Sequence, residues 1–382
     1  MCVKNSAPEI RGLCFYGIIL QTDMSDTIYT YQFLVDFANR VFLKIGCSNE
    51  DAALAARVLI SADARGIDSH GIARLTGYVR LWEAKRINAT PEIKILHQTP
   101  STATVDGDSG LGLVVAPKAM QIAIDKAQDV GTGWVSVQNS NHFGIAGYHA
   151  MMALEYDMIG ICMTNASPLV APTFSKERLL GTNPICVAVP AGRESPFVAD
   201  MATTTAANGK LEILQRKNGV APAGWIQDKD GKSSTDPHEL KSGGALLPLG
   251  GDREHGSHKG YALGSIVDIF SAILSGANYG PWVPPFPAYV PMPQNMPGKG
   301  IGHFFGAMRI DAFRPAKDFK ENMDQWIHRF RTAQPIAGYD RVIIPGEPET
   351  EMQAERMKNG IPIFPSVVAD LKELAHKLEL NF

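Results

Sequence analysis

Apolar positions near the start of the chain recur at helical spacing. This spacing predicts a helix over residues 31–45. Ser48 and the polar residues after it resemble a capped helix start, so a second helix is predicted over the alanine-rich residues 52–64. The recurring positions of the first helix are Phe33, Leu34, Phe37 and Val41. The amino-terminal part is therefore predicted to be helical.

After Pro100 the pattern changes to short apolar runs punctuated by glycine, which predict strands. Helical patterns lie between them at residues 115–127 and 148–156. The strand-like runs cover residues 103–105, 134–137, 159–163 and 185–189, and a further short apolar run covers residues 197–199. Alternating strands and helices are typical of an α/β domain.

The last third of the chain contains a proline-dense stretch at residues 280–300, which excludes regular helix or a central strand and favours an ordered surface loop or a lid. The other patterns here predict helices over residues 261–274, 317–331 and 366–378 and a strand over residues 301–310. The terminal helix is expected to pack back onto the amino-terminal helices.

Composition narrows the class of protein. The 382 residues carry a net charge of −3 and no cluster of basic residues, so neither a nucleic acid nor a membrane is expected as a partner. The five cysteines are scattered and form no C-x-x-C, which disfavours disulfides and zinc ribbons and favours a reducing cytoplasm. Residues 1–23 show no periodicity that connects to the rest; we expect a disordered extension or an artefact of start-codon choice.

The densest polar segment of the first part runs from Arg65 to Arg74, between two helical patterns. In it, His70 can exchange a proton near neutral pH, Ser69 can hydrogen-bond a substrate oxygen, and Arg74 can grip a carboxylate. This composition predicts an active-site turn. The alternative is a solvated turn in which His70 only caps a helix.

Further polar groups follow predicted strands. His142 comes after the strand at 134–137 and is a candidate to act on a carbonyl, or it belongs to a polar turn that caps the next helix. Asp200 ends the run at 197–199, where it can orient a histidine or serve as a helix N-cap. The loops at 164–168 and 181–184 can line a cofactor cleft, although Ser-Pro and Asn-Pro are also ordinary turn formers.

The glycine-rich loop at residues 250–260 precedes a predicted helix and carries Lys259, so its N–H groups are candidates for phosphate binding. No G-x-G-x-x-G follows a strand, and dinucleotide binding would therefore need a fold other than the Rossmann fold. The alternative function is a metal-dependent hydrolase that uses His255, His258 and His303 as ligands.

Taken in order from Met24 onward, eight of these segments resemble the type-2 malate/L-lactate dehydrogenase family, which includes L-sulfolactate and ureidoglycolate dehydrogenases and a cyclic-imine reductase. The segments are RGIDSHGIAR (65–74), DGDSGLG (106–112), NSNHFG (139–144), TNASP (164–168), LLGTNP (179–184), DMATT (200–204), HKGYAL (258–263) and IPGEPE (344–349). The ordered set is specific, whereas each segment alone is not.

The resemblance implies an α/β fold with a non-Rossmann, largely antiparallel or mixed central sheet flanked by helices, and a smaller helical lobe. It implies a homodimer with active sites close to the subunit interface. We therefore expect a nicotinamide-binding domain at residues 100–310, and a substrate and dimerisation lobe formed by residues 24–99 and 311–382.

The same resemblance implies roles for individual residues. His70 moves the proton of the substrate oxygen with Ser69 beside it, Arg74 holds the carboxylate, His142 is a second proton-transfer candidate ranked below His70, and Asp200 tunes the active-site histidine. Contacts to the cofactor are expected from Thr164, Asn165, Ala166, Ser167, Thr182, Asn183, Pro184, Met201, Ala202, Thr203, His258, Lys259, Gly346 and Glu347.

The implied reaction is hydride transfer between a nicotinamide cofactor and a small 2-hydroxy acid. Malate and oxaloacetate are the first substrate pair expected, and NAD is favoured over NADP as the cofactor. The alternatives within this class are other 2-oxo acids, such as those of lactate, sulfolactate or ureidoglycolate, and a cyclic imine carboxylate.

Overall fold

A seven-stranded mixed sheet forms the centre of the computed structural model, which describes residues 26–216 and 218–382. The extension predicted at residues 1–23 lies outside the described residues. The strands are β1 Thr27–Tyr29, β2 Lys94–Gln98, β3 Thr102–Asp106, β4 Thr132–Ser140, β5 Met158–Thr164, β6 Ile185–Val189, β7 Phe197–Met201, β8 Ile226–Gln227, β9 Ser233–Ser234, β10 Ala245–Leu246, β11 Ile301–Arg309 and β12 Ile361–Ile363.

Helices flank this sheet, and the helices near the start of the chain pack around a separate core. They are α1 Tyr31–Lys44, α2 Asn49–Ala64, α3 Leu75–Glu83, α4 Gly112–Val130, α5 Ala146–Met151, α6 Asn208–Arg216, α7 Ser257–Asp268, α8 Ala316–Arg331, α9 Glu347–Asn359 and α10 Pro365–Lys377. In the described part of the chain, no helix is long and apolar enough to cross a membrane.

The strand order in the large sheet is β2-β3-β4-β11-β5-β6-β7. Only β3 and β4 pair in parallel, and α4 supplies the crossover that a parallel pair requires; the other neighbours are antiparallel. The expectation of a mixed, largely antiparallel, non-Rossmann α/β fold is confirmed. Two small sheets, β1-β12 and β10-β8-β9, lie outside the large one.

One face of the large sheet packs closely against α4 and α5. Gly133 on β4 and Gly160 on β5 make this possible, because a Cβ at either position would lie 1.9 Å from a helix carbonyl oxygen. Buried side chains of alternate strand positions, such as Val135, Cys162 and Phe305, complete this core. The close packing of α4 and α5 on the sheet fixes the ends of β4 and β5, where the polar segments 139–144 and 164–168 are found.

The amino-terminal helices share a second core with the end of the chain. Leu371 and Leu374 of α10 pack with Phe37 and Tyr78 in one buried cluster, and the ring of Phe382 lies 4.7 Å from that of Phe37. The terminal helix therefore packs back as predicted. The division into two domains stays a prediction.

The long periodic elements agree with the prediction to within a few residues, and Ser48 caps α2 by accepting from the N–H of Asp51. Two helical patterns change type: α7 continues as a π-helix over Ile269–Ile273, and α5 as a 3-10 helix over Met152–Tyr156. The proline-rich stretch is an ordered loop with one 3-10 turn at Gly280–Trp282. Whether it acts as a lid stays a prediction.

Candidate active site

The turn between α2 and α3 carries the Arg65–Arg74 motif and is folded around a buried carboxylate. Asp63, near the end of α2, accepts a hydrogen bond of 2.6 Å from the N–H of Ile72. A Cβ on Gly71 would lie 2.1 Å from this carboxylate, so only glycine fits there. The turn thus wraps onto the helix that precedes it, which places Ser69 and His70 at its outer side.

An arginine from the distant helix α9 clamps this turn. Arg356 donates to the backbone carbonyl of Asp63 and to both carboxylate oxygens of Asp68, at 2.5 Å and 3.2 Å. Arg65 is also buried and donates to Gln353 of the same helix. These contacts contradict the alternative of a solvated turn.

Two histidine rings lie together beside this turn. The rings of His70 and His142 stack with centroids 5.6 Å apart. Ser69 Oγ lies 2.8 Å from Nδ1 of His70, and the buried hydroxyl of Tyr78 lies 2.6 Å from Nδ1 of His142. The structure therefore brings together the two histidines from separate motifs and adds a tyrosine to them.

Burial keeps both histidines neutral at neutral pH. It lowers the pKa of His70 to about 4, and the cation of Arg74 adds to this shift. The pKa of His142 lies well below its ordinary value for the same main reason, with His70, Arg74 and His303 adding to the effect. The N–H of Gly144 also points at Nδ1 of His142, at 3.4 Å, so the neutral ring carries its proton on Nε2.

Arg74 is oriented but not neutralised. Its Nε donates to the carbonyl of Ser69 at 2.6 Å, and its guanidinium lies over the ring of Phe286 at 5.8 Å from the centroid. Within residues 26–216 and 218–382, no carboxylate forms an ion pair with it. Its terminal nitrogens are therefore available for the carboxylate of a ligand.

Asp200 lies on β7, where its carboxylate accepts a hydrogen bond of 2.7 Å from the N–H of Gly147 in the first turn of α5. Asp200 lies within a strand, and the next helix, α6, begins only at Asn208. The alternative role of Asp200 as the N-cap of a following helix is therefore wrong. Loss of water raises the pKa of Asp200 to about 6. Among the described residues, no hydrogen bond joins it to His70 or His142. Its tuning role stays a prediction.

The predicted cofactor residues of three loops lie at the end of the large sheet where β5 and β7 finish and β6 begins. We call this end of the sheet the cofactor edge. Met163 of β5, Ile185 of β6 and Met201 of β7 are neighbours in register, and the loops follow or precede them directly. The edge therefore gathers the segments 164–167, 182–184 and 201–203 into one cleft wall.

Most polar side chains of this edge are already used inside the protein. Asn165 donates to Asp268 and to the carbonyl of Asn278, Asn183 donates to the carbonyl of Gly264, and Thr203 donates to backbone carbonyls. Thr164 is hydrogen-bonded to His303. These residues are suited to shaping a cleft rather than to binding a ligand through their side chains.

The remaining predicted cofactor residues begin two helices. His258 and Lys259 lie in the first turn of α7, where His258 is hydrogen-bonded to Arg253 and Lys259 is exposed. Gly346 precedes α9 and touches Val198 of β7, while Glu347 pairs with Arg331 at 2.6 Å. The first turn of α7 with its exposed lysine suits the phosphates of a dinucleotide, so this end of the sheet fits such a cofactor.

The metal-site alternative has no ligand set in the described part of the chain. His255 lies on an exposed loop and His258 lies in the first turn of α7, whereas His303 is fully buried between Thr164 and Ser140. Within residues 26–216 and 218–382, no group of three or more His, Cys, Asp or Glu side chains is arranged to hold a metal ion.

Two residues of the site were not predicted from the sequence. Tyr78 follows Arg74 by one helical turn on α3, and this i, i+4 spacing is the signal that places it on the same face. Phe286 comes from the proline-rich loop, and its ring lies 4.8 Å from that of His142. No spacing in the sequence links it to the site.

Comparison with known proteins finds relatives along most of the chain. Residues 29–372 match the model of the malate/L-lactate dehydrogenase family. The malate dehydrogenase of Pyrococcus horikoshii is 44% identical over 348 residues, 90% of this chain and 94% of that protein. The L-sulfolactate dehydrogenase of Methanocaldococcus jannaschii is 40% identical over 341 residues, with 89% and 94% covered. The crystal structure of malate dehydrogenase from Entamoeba histolytica superposes with a TM-score of 0.87 at 34% identity, covering 94% of this chain and 99% of that one.

Fold, site and relatives define a nicotinamide-dependent dehydrogenase of hydroxy acids. The chain belongs to the malate/L-lactate dehydrogenase family.

The clamp on the active-site turn gives a first prediction. Replacing Arg356 with leucine leaves Asp68 and a buried carbonyl without their partner, so we expect the free energy of unfolding to fall by about 3 kcal/mol. Arg341→Leu removes the exposed pair with Glu351 and should cost at most about 1 kcal/mol. Urea denaturation of both variants measures this difference, and equal losses would contradict the role of the clamp.

Proposed function

We propose that the chain interconverts malate and oxaloacetate with NAD as the cofactor. The observation that carries this proposal is the guanidinium of Arg74, which pairs with no carboxylate of residues 26–216 and 218–382, beside the neutral pair His70 and His142. A cation next to a neutral base is what a 2-hydroxy acid needs, because its carboxylate must be held while its hydroxyl loses a proton. The similarity to the malate dehydrogenase of P. horikoshii supports malate as the substrate.

Arg74 holds the substrate carboxylate through its terminal nitrogens and so fixes the orientation of C2. His142, with its proton on Nε2, donates a hydrogen bond to the oxygen on C2, and His70 accepts the hydroxyl proton during oxidation. Ser69 holds the ring of His70 through Nδ1. In the reverse direction His70 returns the proton. When bound, the nicotinamide ring accepts or returns the hydride.

The cofactor would lie along the sheet edge formed by the loops after β5 and β7 and before β6, with its phosphates at the first turn of α7 and near Lys259. The start of α9 at Gly346 lies against Val198 of the outermost strand, β7. We also propose a reducing, cytoplasmic location, which the free thiols of Cys47, Cys162 and Cys186 support.

The function is tested by following the absorbance of NADH and NADPH with three substrates: oxaloacetate, pyruvate and a cyclic imine carboxylate. We expect oxaloacetate with NADH to give the highest kcat/KM. A preference for another 2-oxo acid or the imine would overturn malate as the substrate, and a preference for NADPH would overturn NAD. No turnover with any pair would overturn the proposed function.

The proton-transfer role is tested by His70→Ala, with His376→Ala on the exposed side of α10 as the matched control. We expect His70→Ala to lower kcat for malate oxidation by roughly 10²- to 10⁴-fold, since it removes a positioned base. Because the pKa of His70 is about 4, kcat/KM of the wild type should stay level from pH 8 towards pH 5 rather than fall near 6.5. Near wild-type turnover of a folded His70→Ala variant would refute the assignment.

We propose further that the chain forms a homodimer through the outer side of α7 and its π-helical continuation. Several large apolar side chains there are exposed: Ile266, Ile269, Phe270, Ile273 and Leu274. Between Gly260 and Gly276 the chain holds one charged residue, Asp268, and it is buried. An uncharged patch of this kind marks a permanent interface, and a second copy of the chain is a partner that is always present.

The sheet beneath this helix extends the apolar surface. Phe270 contacts Phe304 of β11, and the partly buried side chains next to Phe304 in register are Met163 and Ile185. An antiparallel sheet with one free face normally presents polar residues there, so an apolar face supports a partner that covers it.

The dimer is tested by Ile273→Asp, with Ile336→Asp, at another exposed isoleucine outside this patch, as the control. Light scattering behind gel filtration should give the mass of two chains for the wild type and Ile336→Asp, and of one chain for Ile273→Asp. A wild-type monomer would refute the dimer itself. An intact Ile273→Asp dimer would place the interface elsewhere.

A further inference from the structure

The proline-rich loop presents one aromatic ring to the active site. Phe286 lies between Pro285 and Pro287, whose rings fix the backbone on both sides of it. Because these prolines have little backbone freedom to lose on folding, the loop can hold a side chain in place without regular secondary structure.

Hydrogen bonds tie this point of the loop to two parts of the fold. The N–H of Phe286 donates to Oγ of Ser167, 3.0 Å away, in the loop after β5. The guanidinium of Arg86, just beyond α3, donates to the carbonyl of Pro285. Phe286 is therefore fixed relative both to the cofactor edge and to the helix that carries Arg74.

The ring fits into a notch on α3. A Cβ at Gly77 would lie 2.7 Å from the ring, so the absence of a side chain there makes room for it. Tyr78 meets the ring edge-on at 5.5 Å, and His142 lies 4.8 Å from it. Phe286 thus packs against His142 together with Tyr78 and covers part of the histidine ring.

The same ring lies under the guanidinium of Arg74, at 5.8 Å. This contact is a cation–π interaction, and it leaves the terminal N–H groups of Arg74 available, while Nε donates to the carbonyl of Ser69. A carboxylate can approach these terminal N–H groups in the plane of the guanidinium, which is the geometry of a bidentate pair.

We propose that Phe286 is a positioning residue of the 2-oxo acid site, which holds the Arg74 guanidinium and excludes water from His142. This inference rests on the proposed function. The groups that face His142 are His70 and Arg74 from the turn and the start of α3, Tyr78 from α3, and His303 from β11. None of these is an anion, so water entering the site is what would allow His142 to take up a proton.

The decisive variants are Phe286→Ala and Phe286→Leu, with Tyr289→Ala as the control, because Tyr289 is 83% exposed on the same loop. For Phe286→Ala we expect KM for the oxo acid to rise about tenfold, since the cation–π contact is lost, while KM for the nicotinamide cofactor stays unchanged. Phe286→Leu, which still covers His142, should raise the same KM without changing the pH profile. Tyr289→Ala should match the wild type.

Two pH measurements test whether Phe286 excludes water from His142. The acidic limb of kcat/KM for hydroxy-acid oxidation should move to higher pH in Phe286→Ala. In this variant His142 becomes charged at a higher pH, and its charge makes His70 a weaker base for the hydroxyl proton of the substrate. NMR titration of histidine-labelled protein should show the pKa of His142 rising towards 6.5 in this variant and not in Phe286→Leu.

An unchanged oxo-acid KM and an unchanged His142 titration in a folded Phe286→Ala variant would overturn the proposal. Equal rises of both KM values, repeated in Tyr289→Ala, would also overturn it, because they indicate general loosening of the loop. If the wild type shows no turnover, the proposed function fails, and the NMR titration still decides whether Phe286 shields His142.

Discussion

The active site depends on one buried arginine that joins distant parts of the chain. Arg356 binds the end of α2 and Asp68, 288 residues away in sequence. Without Arg356, the carboxyl groups of the buried Asp63 and the nearby Asp68 would lie close together with no cation between them. The clamp therefore fixes the turn that carries Ser69 and His70, so α9 acts on the active site through the position of this turn.

Much of the fold was predictable because its long elements have clear periodicity. Helices α1, α2 and α4 each bury a continuous apolar stripe, and strands β5 and β6 alternate in burial. The helix α9 was not predicted, since most of its residues are polar and its buried members are Glu347 and Arg356. Such a helix is specified by ion pairs with the rest of the fold rather than by its own pattern.

The site was predictable where a motif carries its own chemistry. His70, Arg74 and His142 were found from residue type and context, and they lie together. Phe286 could not be found, because its place depends on how the proline-rich loop closes over α3. Asn165 shows the opposite case: a polar residue next to the cleft whose amide is fully occupied within the protein.

The position of β11 in the sheet has a consequence for how the chain is made. It lies between β4 and β5, although it follows both of them far later in the chain. While the ribosome is still making the middle of the chain, these two strands have open inner edges, and such edges favour pairing with other chains. The newly made chain thus has to be kept from aggregating until Ile301–Arg309 has left the ribosome and closed the sheet.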